Sequence, residues 1–226
     1  MTDAPAENLA GRARIDDRAA SPSSRLATGV PSPLTLGLVT CGGIGAFLFT
    51  VTYLLDGISH PGYDAWRQPI SALSLDPGGW VQQTNFVVFG ILMALSAAGW
   101  YRLLMPRRGG IWFPVFQACG GLCLIALGIV SVRETAHIVL AYALIIDLAQ
   151  GCFAMGAIFA RSPHWRAWAV YSYVSGLLIL IFWGLFVSYP ASPDAGVVER
   201  VSAGSHALWL CLITAAVVLA ERRVRV

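Results

Sequence analysis

His60-Pro61-Gly62-Tyr63-Asp64-Ala65-Trp66-Arg67-Gln68-Pro69-Ile70-Ser71-Ala72-Leu73-Ser74-Leu75-Asp76-Pro77-Gly78-Gly79-Trp80-Val81-Gln82-Gln83-Thr84-Asn85-Phe86 is the one long stretch of this chain that mixes polar and aromatic residues. The chain on either side of it alternates long apolar runs with short connections. Pro61, Pro69 and Pro77, with Gly62, Gly78 and Gly79, deny the stretch a continuous helix. Connections longer than about 12–15 residues are usually functional or disordered. Ile70, Leu73 and Leu75, set among aromatic residues, argue for order. The stretch reads as a folded cap on a membrane bundle, with a short helix starting at Pro69, whose fixed φ suits a first helical position.

Composition supports the bundle. Of 226 residues, 57% are hydrophobic and only 12% charged, and the mean hydropathy is +0.67. Soluble domains carry about 25% charged residues, so this chain has half the usual charge. Apolar spans run at about 34–55, 85–104, 112–132, 137–160, 168–189 and 203–220. Each is long enough to cross ~30 Å of hydrocarbon at about 1.5 Å per residue. The expected fold is all-α, an integral membrane bundle of six transmembrane helices over residues 34–221. Residues 1–33 balance Asp3, Glu7, Asp16 and Asp17 against Arg12, Arg14, Arg18 and Arg25 without an apolar period. They read as a disordered cytoplasmic tail.

Arginine sets the orientation. All 15 basic residues are arginine, which, with abundant Ala and Gly, fits GC-rich coding and a bacterial source. With the N-terminus in the cytoplasm, twelve arginines lie inside, and only Arg67, Arg133 and Arg200 lie outside. That bias places both termini in the cytoplasm of an inner-membrane, multi-pass protein. Dispersed over short loops, the arginines make no nucleic-acid surface. The five cysteines all fall in apolar runs and read as small buried residues.

Candidate chemistry is sparse. Asp147 lies near the middle of the fourth span, with Gln150 on the same face. A mid-bilayer carboxylate costs about 2.5–3.5 kcal/mol on insertion scales, so it is expected to face the bundle. Hydroxyls such as Thr50, Ser96, Ser172 or Ser175 are its expected partners. It reads either as an interhelical clamp or as an ion or proton site. His60, His137 and His206 all fall on the external side, with Asp56, Asp64 or Glu134 able to join them. None has the local spacing of a metal site, and neither a metal nor another cofactor is implied. In the cap, Asp64, Arg67 and Ser71 are the polar candidates, and Arg67 is expected to pair with Asp64, Asp56 or Glu134. That pair would tie the first, second and fourth spans together.

The cap also carries a resemblance. His60-Pro61-Gly62-Tyr63-Asp64, Arg67-Gln68-Pro69-Ile70-Ser71-Ala72-Leu73, Gly79-Trp80-Val81-Gln82 and Asn85-Phe86 resemble the signature of the bacterial and archaeal membrane family catalogued as domain of unknown function 998. The resemblance runs from about Leu36 to Ala220 and implies the six-span architecture without naming a reaction. It also implies a longer second external loop with an acidic residue and a histidine, where this chain has only Arg133-Glu134-Thr135-Ala136-His137.

Three functions compete at this level. The first is a non-catalytic membrane protein that binds a lipid or another small molecule in an outward-facing polar pocket, with membrane lipids as its surroundings and partners. The second is a proton- or ion-coupled transporter using Asp147. The third is a lipid hydrolase using the external histidines. All three inherit the orientation. Single cysteines introduced at Gly109 and Ser162 are expected to be shielded from impermeant thiol reagents in intact cells, and those at Gly78 and Asp194 to react. Labelling at Gly109 would invert the topology.

Overall fold

A computed structural model describes residues 26–27, 29–75, 77–105 and 107–223. Six long helices carry the fold: α1 (Pro33–Ser59), α2 (Trp80–Leu104), α3 (Trp112–Ile129), α4 (Thr135–Phe159), α5 (Arg166–Ser188) and α6 (Ala195–Arg222). Two 3-10 helices, Ile70–Leu75 and Pro163–Trp165, lie in the connections. All six long helices are long and apolar enough to cross a membrane, so this is a multi-pass membrane protein. Their boundaries follow local chemistry. Ser32 caps α1 by accepting the Thr35 N–H at 3.1 Å, with Pro33 as the first helical residue. The α1 helix stops at Ser59, with His60 extended ahead of Pro61.

Each helix packs on its neighbours in sequence, and α1 packs on α6, so the bundle closes as a ring. Close approach depends on small residues. A Cβ at Gly90 would lie 2.5 Å from the Gly121 carbonyl oxygen, and one at Gly121 would lie 2.7 Å from that of Gly90. Only glycine lets the α2 and α3 backbones meet there. Large apolar side chains such as Phe47, Leu122, Ile129, Leu177 and Leu208 are exposed, as suits a bundle bathed in hydrocarbon.

The α1–α2, α3–α4 and α5–α6 connections share one end of the ring, the cap end; the described termini share the other. The cap, residues 60–79, docks on the first turns of α6. Arg200 Nη1 donates to the carbonyls of Ala65 (2.7 Å), Gln68 (2.9 Å) and Gly196 (2.8 Å). Its Nη2 donates to the Tyr63 hydroxyl. The Val197 N–H donates to the Trp66 carbonyl at 3.1 Å, and Trp66 Nε1 to Asp194 Oδ1 at 2.7 Å. Burial holds the Tyr63 phenol above its ordinary pKa, against the opposing pull of Arg200. The phenol therefore keeps its proton and donates it to the Pro69 carbonyl at 2.9 Å.

Four expectations change. The sixth helix begins at Ala195, eight residues before its apolar run. Arg67 meets Asp64 at 3.5 Å with both side chains more than half exposed. A pair so wet adds little, and it ties no spans together; Arg200 holds the cap instead. Leu26 and Ala27, expected in a disordered tail, are fixed: Glu221 accepts both their N–H groups, at 2.7 and 3.0 Å, and Arg107 Nε donates to the Leu26 carbonyl. Residues 1–25 and 28 of that tail lie outside the described residues, as does Asp76 of the cap turn. Of the five cysteines only Cys152 is fully buried, and Cys119 is exposed.

Arg200 thus makes more of the cap's hydrogen bonds to α6 than any other residue. Arg200→Ala is expected to lower stability by about 2–3 kcal/mol, the scale of hydrogen bonding to a charged group. Hydrogen exchange across Ile70–Leu75 should rise with it. Exchange unchanged from the parent would mean the cap holds itself.

Candidate functional site

Six helices in a closed ring leave a hole on the axis. With neighbouring axes about 8–10 Å apart, a regular hexagon has room at its centre for about one more helix. Large side chains fill the termini half. Trp100 and Phe113 meet edge to face at 5.2 Å, Phe113 and Trp209 at 5.8 Å, and Phe159 stacks on Trp165 at 5.0 Å. Trp209 is locked by donating Nε1 to Ser172 Oγ at 2.9 Å.

The cap half stays open because Ala141, Ala203 and Ala207 face the axis there. The result is a cavity of about 410 Å³, within the ~300–1,000 Å³ of ordinary ligand sites. Phe49, Phe89, Leu127, Leu148, Trp183 and Ala203 supply one wall residue from each helix, and Pro69, Ile70 and Ser71 form the roof. The walls are apolar, which corrects the expectation of a polar pocket. Ile138 and Tyr142 of α4 line the cavity while remaining 54% and 39% exposed. Near the cap, then, the wall beside α5 is thin.

Few polar groups reach this space. Glu199 lines it and accepts the Ile70 N–H on Oε2 at 2.6 Å. His137 lines it with Nδ1 3.1 Å from the Val130 carbonyl. A carbonyl only accepts, so Nδ1 carries a hydrogen there. His206 lines it, 2% exposed, with its ring packed on Trp209 at 5.8 Å. Ser71, Tyr142 and Trp183 complete the set, and Trp183 Nε1 is buried without a hydrogen-bond partner among the described residues.

The structure therefore brings together Ser71, His137 and His206 and leaves the other candidates elsewhere. His60 sits outside the cavity, its Nδ1 3.0 Å from the Asp56 carbonyl and 3.2 Å from Asp56 Oδ1. Asp64 and Arg67 lie on the open surface of the cap. The three histidines do not converge, and among the described residues no cluster of three or more His, Cys, Asp or Glu is suited to a metal. Asp147 and Gln150 lie on the seam between α3 and α4. The Asp147 carboxylate reaches to 2.7 Å from where a Cβ on Gly120 would sit. It bonds none of the hydroxyls expected for it: Thr50, Ser96 and Ser172 donate to the carbonyls of Ala46, Val39 and Trp168. Its Oδ2 is buried without a hydrogen-bond partner among the described residues, and Gln150 is exposed.

Glu199 and Arg200 were not singled out by sequence reasoning as site residues. Their charges sit where an apolar window sees a loop, so the sixth span was started after them. A signal did exist: Glu199, Ala203 and His206 recur at i, i+4 and i+7, one face of a helix. That face lines the cavity.

Residues 43–216 match a family model described as Protein of unknown function (DUF998). No curated protein and no solved structure matches the chain. The match covers most of the sequence, including α2 to α5 whole and most of α1 and α6, and agrees with the likeness carried by the cap; the chain belongs to the DUF998 family of unknown function.

Proposed function

We propose that the protein is a non-catalytic binding protein for a lipid or a similar long-chain amphiphile, held in the cavity beneath the cap. One observation carries the reading: an apolar chamber roofed by an ordered cap, on the axis of a bundle otherwise filled with aromatic side chains. Burying apolar chain surface stabilises a complex by about 25 cal/mol per Å², and a preformed chamber spares the protein the cost of opening one. The thin wall at Ile138 and Tyr142 gives an entry from the bilayer beside α5.

Transport through Asp147 is less well supported, because that residue lies off the cavity and α4 runs unbroken from Thr135 to Phe159. Hydrolysis by the three histidines is less well supported because only two of them share the site. The arginine split over the two ends favours cytoplasmic termini, with the cap on the external face of the inner membrane.

Filling the chamber tests the reading. Ala203→Phe and Ala141→Phe place a ring where the ligand would lie. Native mass spectrometry of protein extracted with its surrounding lipid is expected to show a retained long-chain molecule in the parent and its loss in both variants. Thermal stability should be equal or higher, as for cavity filling in general. The same retained mass in parent and variants would place the ligand elsewhere and overturn the proposal.

A further inference from the structure

We infer that the groove between α3 and α4 at the termini end is a docking surface for an anionic phospholipid of the adjoining leaflet. Arg161 takes the phosphate, and the groove takes an acyl chain. The site lies apart from the cavity beneath the cap and stands independently of the binding reading above.

The groove has a volume of about 360 Å³. Trp112 and Phe116 of α3, stacked at 6.3 Å, wall it on one helix. Phe153 lines it from α4, itself stacked at 6.4 Å on Tyr173 of α5. Ala154 and Ala157 add little volume of their own, which leaves room between the rings. Trp112, Ala157 and Arg161 are exposed, so the groove faces the bilayer. From Arg161 at its mouth to Gln150 at its deep end is eleven residues. At 1.5 Å per residue that is about 16 Å, close to one leaflet's half of ~30 Å of hydrocarbon.

Charge names the occupant. Arg161 Nη1 donates to the Arg108 carbonyl, while its Nε and Nη2 have no partner among the described residues. Those two N–H groups share one edge of the guanidinium, the fork that meets two phosphate oxygens at once. The stretches 105–111 and 160–166 carry Arg107, Arg108, Arg161 and Arg166 and no acid. Glu221, the one described acid at this end, is buried and committed to the N–H groups of Leu26 and Ala27. The four acids before Leu26 are matched by four arginines of their own. A basic rim over an apolar groove between membrane helices suits a lipid with a negative head. A second copy docked groove to groove would instead set like charges against each other.

The test offers the full chain, purified in detergent, an equimolar mixture of phosphatidylglycerol and phosphatidylcholine with the same acyl chains, deuterium separating the two masses. Native mass spectrometry reads the lipid bound to the parent and to four variants. In the parent phosphatidylglycerol should exceed phosphatidylcholine by about tenfold, as when hydrogen bonds to a charged group are at stake. Arg161→Gln should cut that ratio several-fold. Ala157→Phe keeps every arginine but fills the groove, and should cut it as well. Arg222→Gln removes the same charge from the same end away from the groove, and should stay near the parent. Ala203→Phe fills the cavity beneath the cap and should leave the ratio unchanged, so the two sites fail separately. Equal binding of the two lipids in the parent overturns the inference. An equal loss in Arg222→Gln and Arg161→Gln reduces the effect to overall charge and overturns it too. A preference abolished by Ala203→Phe but kept in Arg161→Gln puts the lipid in the cavity and has the same force. A lipid-free dimer of the parent that Ala157→Phe separates would give the groove to a second copy instead, and would overturn the lipid assignment.

Discussion

The guanidinium of Arg200 is where the cap becomes part of the bundle. A loop that turns back over a membrane protein leaves main-chain carbonyls outside any regular ladder, and those that face the bundle take donors from it. Arg200 satisfies those of Ala65 and Gln68 from Nη1 and reaches Tyr63 from Nη2. Its flat face lies over the rings of Tyr53 and Tyr63, at 5.9 and 5.6 Å. Lysine, a single point charge, could not bridge so many acceptors while stacking on two rings. The fit needs the bare backbone of Gly196, where a Cβ would lie 2.5 Å from the Gln68 carbonyl oxygen. One residue before the arginine, Glu199 catches the Ile70 N–H. The turn of helix that holds the roof therefore also supplies the acid of the cavity, so neither role can shift without the other.

Ring closure explains why there is a cavity to roof. Packing six helices edge to edge satisfies each pair and leaves the axis to be filled by side chains alone. In the termini half that job falls to Trp100, Phe113, Trp209 and Phe159, all fully buried. In the cap half the axial positions of α4 and α6 hold alanines, and nothing of comparable size replaces them. The void is thus written in side-chain volume, while the helices themselves continue past it undisturbed.

Much of this architecture was legible in the sequence. Apolar runs and their proline and glycine breaks located the six helices, and Pro69 ahead of Ile70, Leu73 and Leu75 located the short helix of the cap, which forms at Ile70–Leu75. Hydropathy failed where a helix outruns the apolar zone. Glu199 and Arg200 look like loop residues to any window, because their partners, the Ile70 N–H for Glu199 and the cap carbonyls for Arg200, lie far away in the chain. For the same reason Arg67, close in sequence to the cap acids, was expected to hold the cap, whereas ring closure brings Arg200 to it. The Asp147 position was legible; its surroundings were not, since which hydroxyls are free depends on the carbonyl one turn back that each already bonds. Leu26 and Ala27 are fixed by Glu221, an acid near the far end of the chain, and composition carries no trace of such a contact.

The ring order also has a consequence for biogenesis. Consecutive spans can pair as they leave the insertion machinery, but α1 must wait for α6. The cap waits as well: its partners lie 129 residues on for Ile70 and 137 for Tyr63. At about 5–20 residues per second, that is a delay of roughly 6–27 s in which the roof is built but unlatched. The same helix then fastens Leu26, 195 residues upstream, at its other end. A nascent chain halted before Ala195 would possess five spans and a trough open to lipid, but no chamber. Delivery of α6 turns the trough into a roofed cavity and, in one stroke, fastens both ends of the bundle.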